Sequence, residues 1–386
     1  MRAMYKQSLG LAAGMVFLAT PCLMSGWSSP AVAASATTYT VTDLGTLGGS
    51  FSQPIGLSNR GEVAGVSVPA EETALRGFVW ENGTMTDLGT LGGPQGAGTD
   101  VNSKGQVAGW ADLNIPAPPS IFNQTSVFCN PPMVPDEPAV ACHAIVWQHG
   151  ELTDLGTLGG LNSAAQNKGL NSRGDVVGVS EVTALDPTSP TGSPQFHAFL
   201  WRHGKMIDLG SLDGAPDSVA TAINDRGQVV GISIKDSTAV DFGDGFIWQD
   251  GRMRPLGTLG GSGVAPLAIN NRGQVVGLAQ IPGDVTAHAF VWQQGRMIDL
   301  GTLPGDGFSE AIDITDRGQV LGTSCSSDGC RATLWDDQRV VDINTLLPRE
   351  SGWQLFDASA ANSRGQIVGL GLHDGLLHAY LLTPSH

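Results

Sequence analysis

The phrase Asp43-Leu44-Gly45-Thr46-Leu47-Gly48-Gly49 decides how this chain folds, because it returns. It recurs unchanged from Asp87 and from Asp154, with small changes from Asp208, Pro255 and Asp299, and degraded from Asp342. The aligned second residues are Leu44, Leu88, Leu155, Leu209, Leu256, Leu300 and Ile343. Their spacings are 44, 67, 54, 47, 44 and 43, so one unit of about 44 residues is repeated and twice lengthened.

Each copy continues in the same order. A segment ending in an apolar residue and Asn comes first, as at Ile223-Asn224 and Ile269-Asn270. A glycine turn such as Asp225-Arg226-Gly227 leads to Gln-Val-Val-Gly, as at 228–231 and 274–277. After a loop comes His288-Ala289-Phe290-Val291-Trp292, then a second turn and Met297-Ile298-Asp299-Leu300. The segments are short, rich in Val, Ile, Phe and Trp, and bounded by Gly, Asn and Asp, which marks strands. Several are apolar on both faces, as strands buried between stacked sheets are.

Four antiparallel strands, A to D, in each of seven units predict an all-β fold, a seven-bladed β-propeller. A β-solenoid would need shorter coils, and paired sandwiches would not explain seven similar units. The units fall at about 41–85, 86–152, 153–206, 207–253, 254–297, 298–340 and 341–384, within a single domain of 35–386. The chain opens on a lone strand D, Tyr39 to Gly45, and ends on a strand C, His378 to Thr383. Pairing the two would close the ring and remove two open edges.

The phrases resemble the extracellular HAF-repeat family, through His197-Ala198-Phe199 and His288-Ala289-Phe290. Arg331-Ala332-Thr333 departs from that pattern, as do Arg254-Pro255 and Leu382. The resemblance covers 39–386 and implies secretion and a repeat fold, but no activity.

Residues 1–34 look like a cleaved secretory signal. Arg2 and Lys6 form a basic start, 9–23 is mostly apolar, and Ala31-Val32-Ala33 offers a cleavage site. The expected location is extracellular or periplasmic, with no membrane insertion after cleavage. The chain carries a formal charge of −16, and removal of 1–34 leaves −18. Such a surface repels phosphate backbones, so nucleic acid is not an expected partner. Four cysteines then remain, and proximity favours Cys129–Cys142 and Cys325–Cys330 disulfides over free or zinc-bound thiols.

The conspicuous repeated residues fit packing better than chemistry. Trp80, Trp147, Trp201, Trp248, Trp292 and Trp335 hold one repeat position, as an inter-blade packing residue would. The turn cations Arg60, Lys104, Arg173, Arg226, Arg272, Arg317 and Arg364 suit turn bridging better than an anion-binding ring. His143, His197, His288 and His378 sit on separate blades, too far apart to share a metal. No hydrolase, P-loop or calcium-loop motif occurs, so no catalytic residue, metal or cofactor is assigned.

Irregular parts are then the place for function. The largest insertion, 111–142, is the B–C loop of the second unit, and 181–196 is that of the third. Both would project from one face. Trp110, beside the first insertion, and Trp353, in the last D–A connection, stand outside the repeat and are the candidate ligand-stacking residues. The expected function is a secreted, monomeric, non-catalytic module holding a protein or a glycan on that face. The alternatives are an extracellular polysaccharide hydrolase or lyase with carboxylates at the channel, and a structural surface or matrix component.

Overall fold

The computed structural model describes residues 38–70, 74–118, 128–129, 139–187, 192–235, 242–336 and 339–385. The signal-like segment 1–34 lies outside them.

Seven antiparallel sheets form the blades of a propeller. Six run A to D in chain order, over 48–87, 92–154, 159–210, 217–255, 264–299 and 308–342. Four of these sheets end on the Asp of the repeated phrase, blade 3 at Gly210 and blade 4 at Pro255, so the blades are offset by a few residues from the units cut in sequence. The seventh is assembled from both ends of the chain. Ile367–His373 and Leu376–Pro384 are its strands B and C, and Tyr39–Asp43 is its strand D. The register runs from Tyr39 opposite Pro384 to Asp43 opposite Tyr380, as the strand count requires. Its strand A is broken into Trp353–Leu355 and Ala360–Ala361.

The last glycine of Gln-Val-Val-Gly explains why strand B is invariant there. Gly65, Gly109, Gly178, Gly231, Gly277 and Gly322 face strand A, and Gly369 the break in it at Asp357, so closely that a Cβ would lie 1.9–2.3 Å from a carbonyl oxygen. In blades 1, 3 and 4, Phe78, Phe199 and Phe246 close the other side, within 2.9 Å of that Cβ. Strand A bulges by one residue just beyond this contact in five of the blades. Any larger residue would push the two strands apart.

Cores form between neighbouring blades. Phe78 and Trp80 of blade 1 pack with Ala360, Val368, Ala379 and Leu381 of blade 7. Trp147 of blade 2 packs with Ala64 and Val79 of blade 1. The tryptophan row therefore serves repeated packing, alongside the fully buried Phe78, Phe199, Phe246 and Phe290.

The Asn that ends strand A is the other repeated device. In blade 4, Asn224 Oδ1 accepts from the backbone N–H of Arg226 and of Gln228, both at 3.0 Å, which shapes the A–B turn. Its Nδ2 donates to Asn270 O of the next blade at 2.9 Å. The same step runs from Asn102 to Asn171, Asn171 to Asn224, Asn270 to Thr315, and Asn362 to Ser58. Five inter-blade clasps thus circle the axis, interrupted where Ser58 and Thr315 replace Asn. The turn cations add a looser outer layer: Arg60 reaches Ser103 O, Lys104 reaches Arg173 O, and Arg173 donates to Asp225 O. They bridge turns, as expected from the sequence.

Candidate functional site

The two ends of the propeller differ. The A–B turns of all seven blades surround an axial cavity of about 250 Å³. Two residues before the clasp position, five blades carry a small residue: Gly56, Gly169, Ala222, Ala268 and Ala360. Blades 2 and 6 carry Asp100 and Asp313 instead. Asp100 accepts from the N–H of Val101 at 2.9 Å and of Leu170, in blade 3, at 3.1 Å. Asp313 accepts from the N–H of Ile314 and of Ala361, in blade 7, both at 2.9 Å.

Blades 3 and 7 are the ones whose strand A departs from the one-residue bulge of the other five. Blade 7 is broken there, and in blade 3 the register slips between Ala165 and Leu170. The two aspartates therefore satisfy backbone N–H groups beside the irregular segments. The bulge also puts Lys168 at φ 58°, in the left-handed region, with its ammonium in the channel. Lys168 Nζ crosses to Asp313 Oδ2 of blade 6 at 3.3 Å and to Ile55 O of blade 1 at 3.4 Å. Burial pushes Asp100 up to about 6, against the pull of Lys168 and two N–H donors. Sequence comparison by motif missed this cluster. Its trace was the longer D–A connection of the third unit and two acids where the other units have Gly or Ala.

The opposite end carries the B–C connections. In blade 2, strands Val107–Pro116 and Val140–Gln148 run past the sheet as a long hairpin. In blade 3, Val176–Leu185 and Pro194–Arg202 do the same. Most of the insertion between Pro118 and Ala139 lies outside the described residues, but Phe128 and Cys129 do not. Cys129 is disulfide-bonded to Cys142, and Phe128 packs on Phe196 of blade 3 with ring centroids 5.5 Å apart. Both residues are buried in a cluster that includes Ile55, Trp110, Val179 and Ile232, from blades 1 to 4. The second disulfide, Cys325–Cys330, joins register partners of the blade 6 B–C hairpin.

The hairpin bases are clamped by the blade that follows. Asn162 Oδ1 accepts from the N–H of Cys142 at 3.1 Å, and Asp217 Oδ1 from that of Phe196 at 2.9 Å. Within the hairpin blades, Asp112 accepts from the N–H of Gln95, and Glu181 from those of Leu161 and Asn162. Burial pushes Asp112 and Asp217 up to about 7, and Asp186 adds to the effect on Asp217. On blades 6 and 7, burial pushes Glu310 up to about 8 and Asp357 to about 6.

The candidate stacking residues fall at separate places. Trp110 is 5% exposed and sits inside the blade 1–4 cluster. Trp353 is half-buried, stacked on His373 at 4.6 Å and edge-on to Tyr380 at 6.1 Å. The strand C histidines each bind the strand D aspartate of their blade: His143–Asp154, His197–Asp208, His288–Asp299 and His378–Asp43, at 2.8–2.9 Å. The sequence shows both sets but not that they are partners. Among the described residues no cluster of three or more metal-ligating side chains occurs.

No protein-family model matches the chain, and no curated protein sequence matches it. Solved propellers are similar in fold. An oligogalacturonate lyase in complex with manganese aligns with a TM-score of 0.56 at 11% identity, over 91% of this chain and 95% of that one. The β-propeller domain of the trilobed protease from Pyrococcus furiosus aligns at 0.50 and 11% identity, over 77% of this chain and 81% of that one. That domain is described as having an open velcro topology, whereas here the first strand completes the last blade. At these identities the likeness establishes the propeller and nothing about activity.

Proposed function

We propose that this chain is an exported, non-catalytic binding module of the HAF-repeat type, holding a protein or a glycan on the face that carries the B–C hairpins. Where the large apolar side chains are exposed is the observation that carries the reading. Of the six large apolar side chains exposed among the described residues, Ile115, Leu185, Val285 and Leu376, 46–69% exposed, lie on B–C connections, and Ile207 and Ile298 on outer strands D. Two of them, Ile115 and Leu185, sit at the ends of the adjacent long strands, above the Cys129–Cys142 and Phe128–Phe196 contacts. Apolar groups held outward on a pinned base suit recognition, because little freedom is lost on binding. The two disulfides suit an oxidising extracellular or periplasmic compartment.

The reading as a polysaccharide enzyme draws less support. The channel carboxylates that would serve it, Asp100 and Asp313, already accept from backbone N–H groups, and Asp313 is paired with Lys168. The test is the double substitution Ile115→Ser and Leu185→Ser in the chain from residue 35. Neutral glycans retained on an array, or retained secreted proteins, should be lost with circular dichroism unchanged. Undiminished binding would move the site off this face.

A further inference from the structure

Blade 3 departs from the repeat at a second place, on the A–B turn face. In blades 2, 4 and 5 a Gln that opens strand B donates to a Gln that ends strand C: Gln106 to Gln148, Gln228 to Gln249, and Gln274 to Gln293. In blade 3 these positions are Asp175 and Arg202. Asp175 collects Arg202 Nε at 2.9 Å and Nη2 at 2.9 Å, Arg173 Nε at 3.1 Å and Nη2 at 2.9 Å, and Asn171 Nδ2 at 2.9 Å. Burial opposes its ionisation, but hydrogen bonds from Arg202, Asn171 and Arg173 outweigh it and hold its carboxyl below the usual range.

One carboxylate thus holds two guanidinium groups in place and leaves a local excess of one positive charge, on a chain whose net charge is strongly negative. Arg202 Nη1 has no partner among the described residues. The two arginines line an open cavity of about 400 Å³ together with Trp201, His203 and Gln106. That size lies within the roughly 300–1,000 Å³ common for small-molecule sites. Trp201 is half-buried, so part of its ring is available.

We infer that this cavity is a binding site for a carboxylate-bearing sugar residue, with Arg202 taking the carboxylate, Arg173 adding its charge beside it while bonded to Asp175 and Asp225 O, and Trp201 meeting the ring. With its Nε–Nη2 edge held by Asp175, Arg202 keeps its end-on edge, Nη1–H and the second Nη2–H, to meet the two oxygens of a carboxylate, and a guanidinium already fixed in place loses little freedom on binding. An indole beside it offers an apolar plane for the C–H face of a sugar. A bare anion would use the arginines but not the indole. The site lies on the face opposite the long hairpins, so it does not depend on the function proposed above.

The probe is methyl glucuronide, titrated calorimetrically into the chain from residue 35, with methyl glucoside and inorganic phosphate as parallel arms. Saturable binding of the glucuronide and none of the glucoside is expected. Arg202→Gln should weaken binding by about tenfold or more, the loss of a charge-assisted contact. The pair Asp175→Gln and Arg202→Gln restores the Gln–Gln contact of blades 2, 4 and 5 and should abolish binding with the melting temperature retained. Truncating the blade 2 hairpin should leave binding unchanged. Absence of saturation overturns the inference, as does equal binding of the neutral glycoside, tighter binding of phosphate, or indifference to Arg202→Gln.

Discussion

His378 and Asp43 stand 335 positions apart in the chain and are joined by a hydrogen bond of 2.8 Å, Nδ1 to Oδ2. The same contact ties strands C and D eleven positions apart in blades 2, 3 and 5. In blade 7 it ties the two ends of the molecule. Asp43 also accepts from the N–H of Gly45 at 2.8 Å.

Asp43→Ala should therefore cost about 1–2 kcal/mol, the loss of a partly exposed charged contact and a turn cap. Asp87 is the internal control. It caps Gly89 in the same way, but Arg76 stands where blades 2, 3, 5 and 7 have His. Asp87→Ala should cost less in urea denaturation. Removing 38–43 altogether leaves strand C of blade 7 as an open edge, and concentration-dependent association should follow in sedimentation.

The clasp ring makes a prediction of either sign. Asn224→Ala removes two accepted and two donated hydrogen bonds at a buried position, and about 2–4 kcal/mol should be lost. Thr315 interrupts the ring, so Thr315→Asn should restore the clasp toward blade 7 and raise stability by about 1 kcal/mol. Chemical denaturation of the two variants measures both.

Lys168 acts across the ring. Lys168→Met leaves Asp313 buried beside the axis without its cation and should cost about 3 kcal/mol. Adding Asp313→Ala should recover part of that loss. Additive costs in the double-mutant cycle would show that the two residues do not interact.

The buried acids set the pH dependence. Asp100 and Asp357 titrate at about 6, Asp112 and Asp217 at about 7, and Glu310 at about 8. In the unfolded chain such groups titrate near about 4. Between these values the folded state binds more protons than the unfolded one, so stability falls as pH rises from about 4 to 8. His197 acts in the same direction. Its hydrogen bond to Asp208 raises its titration against the pull of burial, and that stabilisation is lost as pH rises through the folded value. Asp208 and Asp299 act oppositely at lower pH. Burial resists their ionisation, but His197 and His288 and the glycine N–H donors lower them, and this contribution is lost as pH falls through their folded values. The melting temperature should be higher near about pH 5 than near about pH 8.5.

The repeat made the propeller legible, because seven copies of strand, turn glycine and close-approach glycine each need the same neighbours. The closure followed from counting strands, and both disulfides from proximity. The charged clusters were not legible. Asp100, Lys168 and Asp313 lie in three blades, 68 and 145 positions apart, and only the ring brings them to one axis. Asp175 and Arg202 look like ordinary surface charges until they are set against the Gln pairs of blades 2, 4 and 5. The two singled-out tryptophans illustrate the converse. Trp110 breaks the pattern yet fills core space, and Trp353 is occupied by His373.

The binding role of the hairpin face is tested most directly by removing it. A variant joining Pro116 to Val140, with Cys142→Ala so that no thiol is left unpaired, should keep the β circular dichroism and the melting transition of the intact chain. Set against the neutral glycans of the same array and the same secreted proteins, it should lose the ligands that the intact chain holds. An unchanged set of ligands, held with unchanged affinity, would contradict the account.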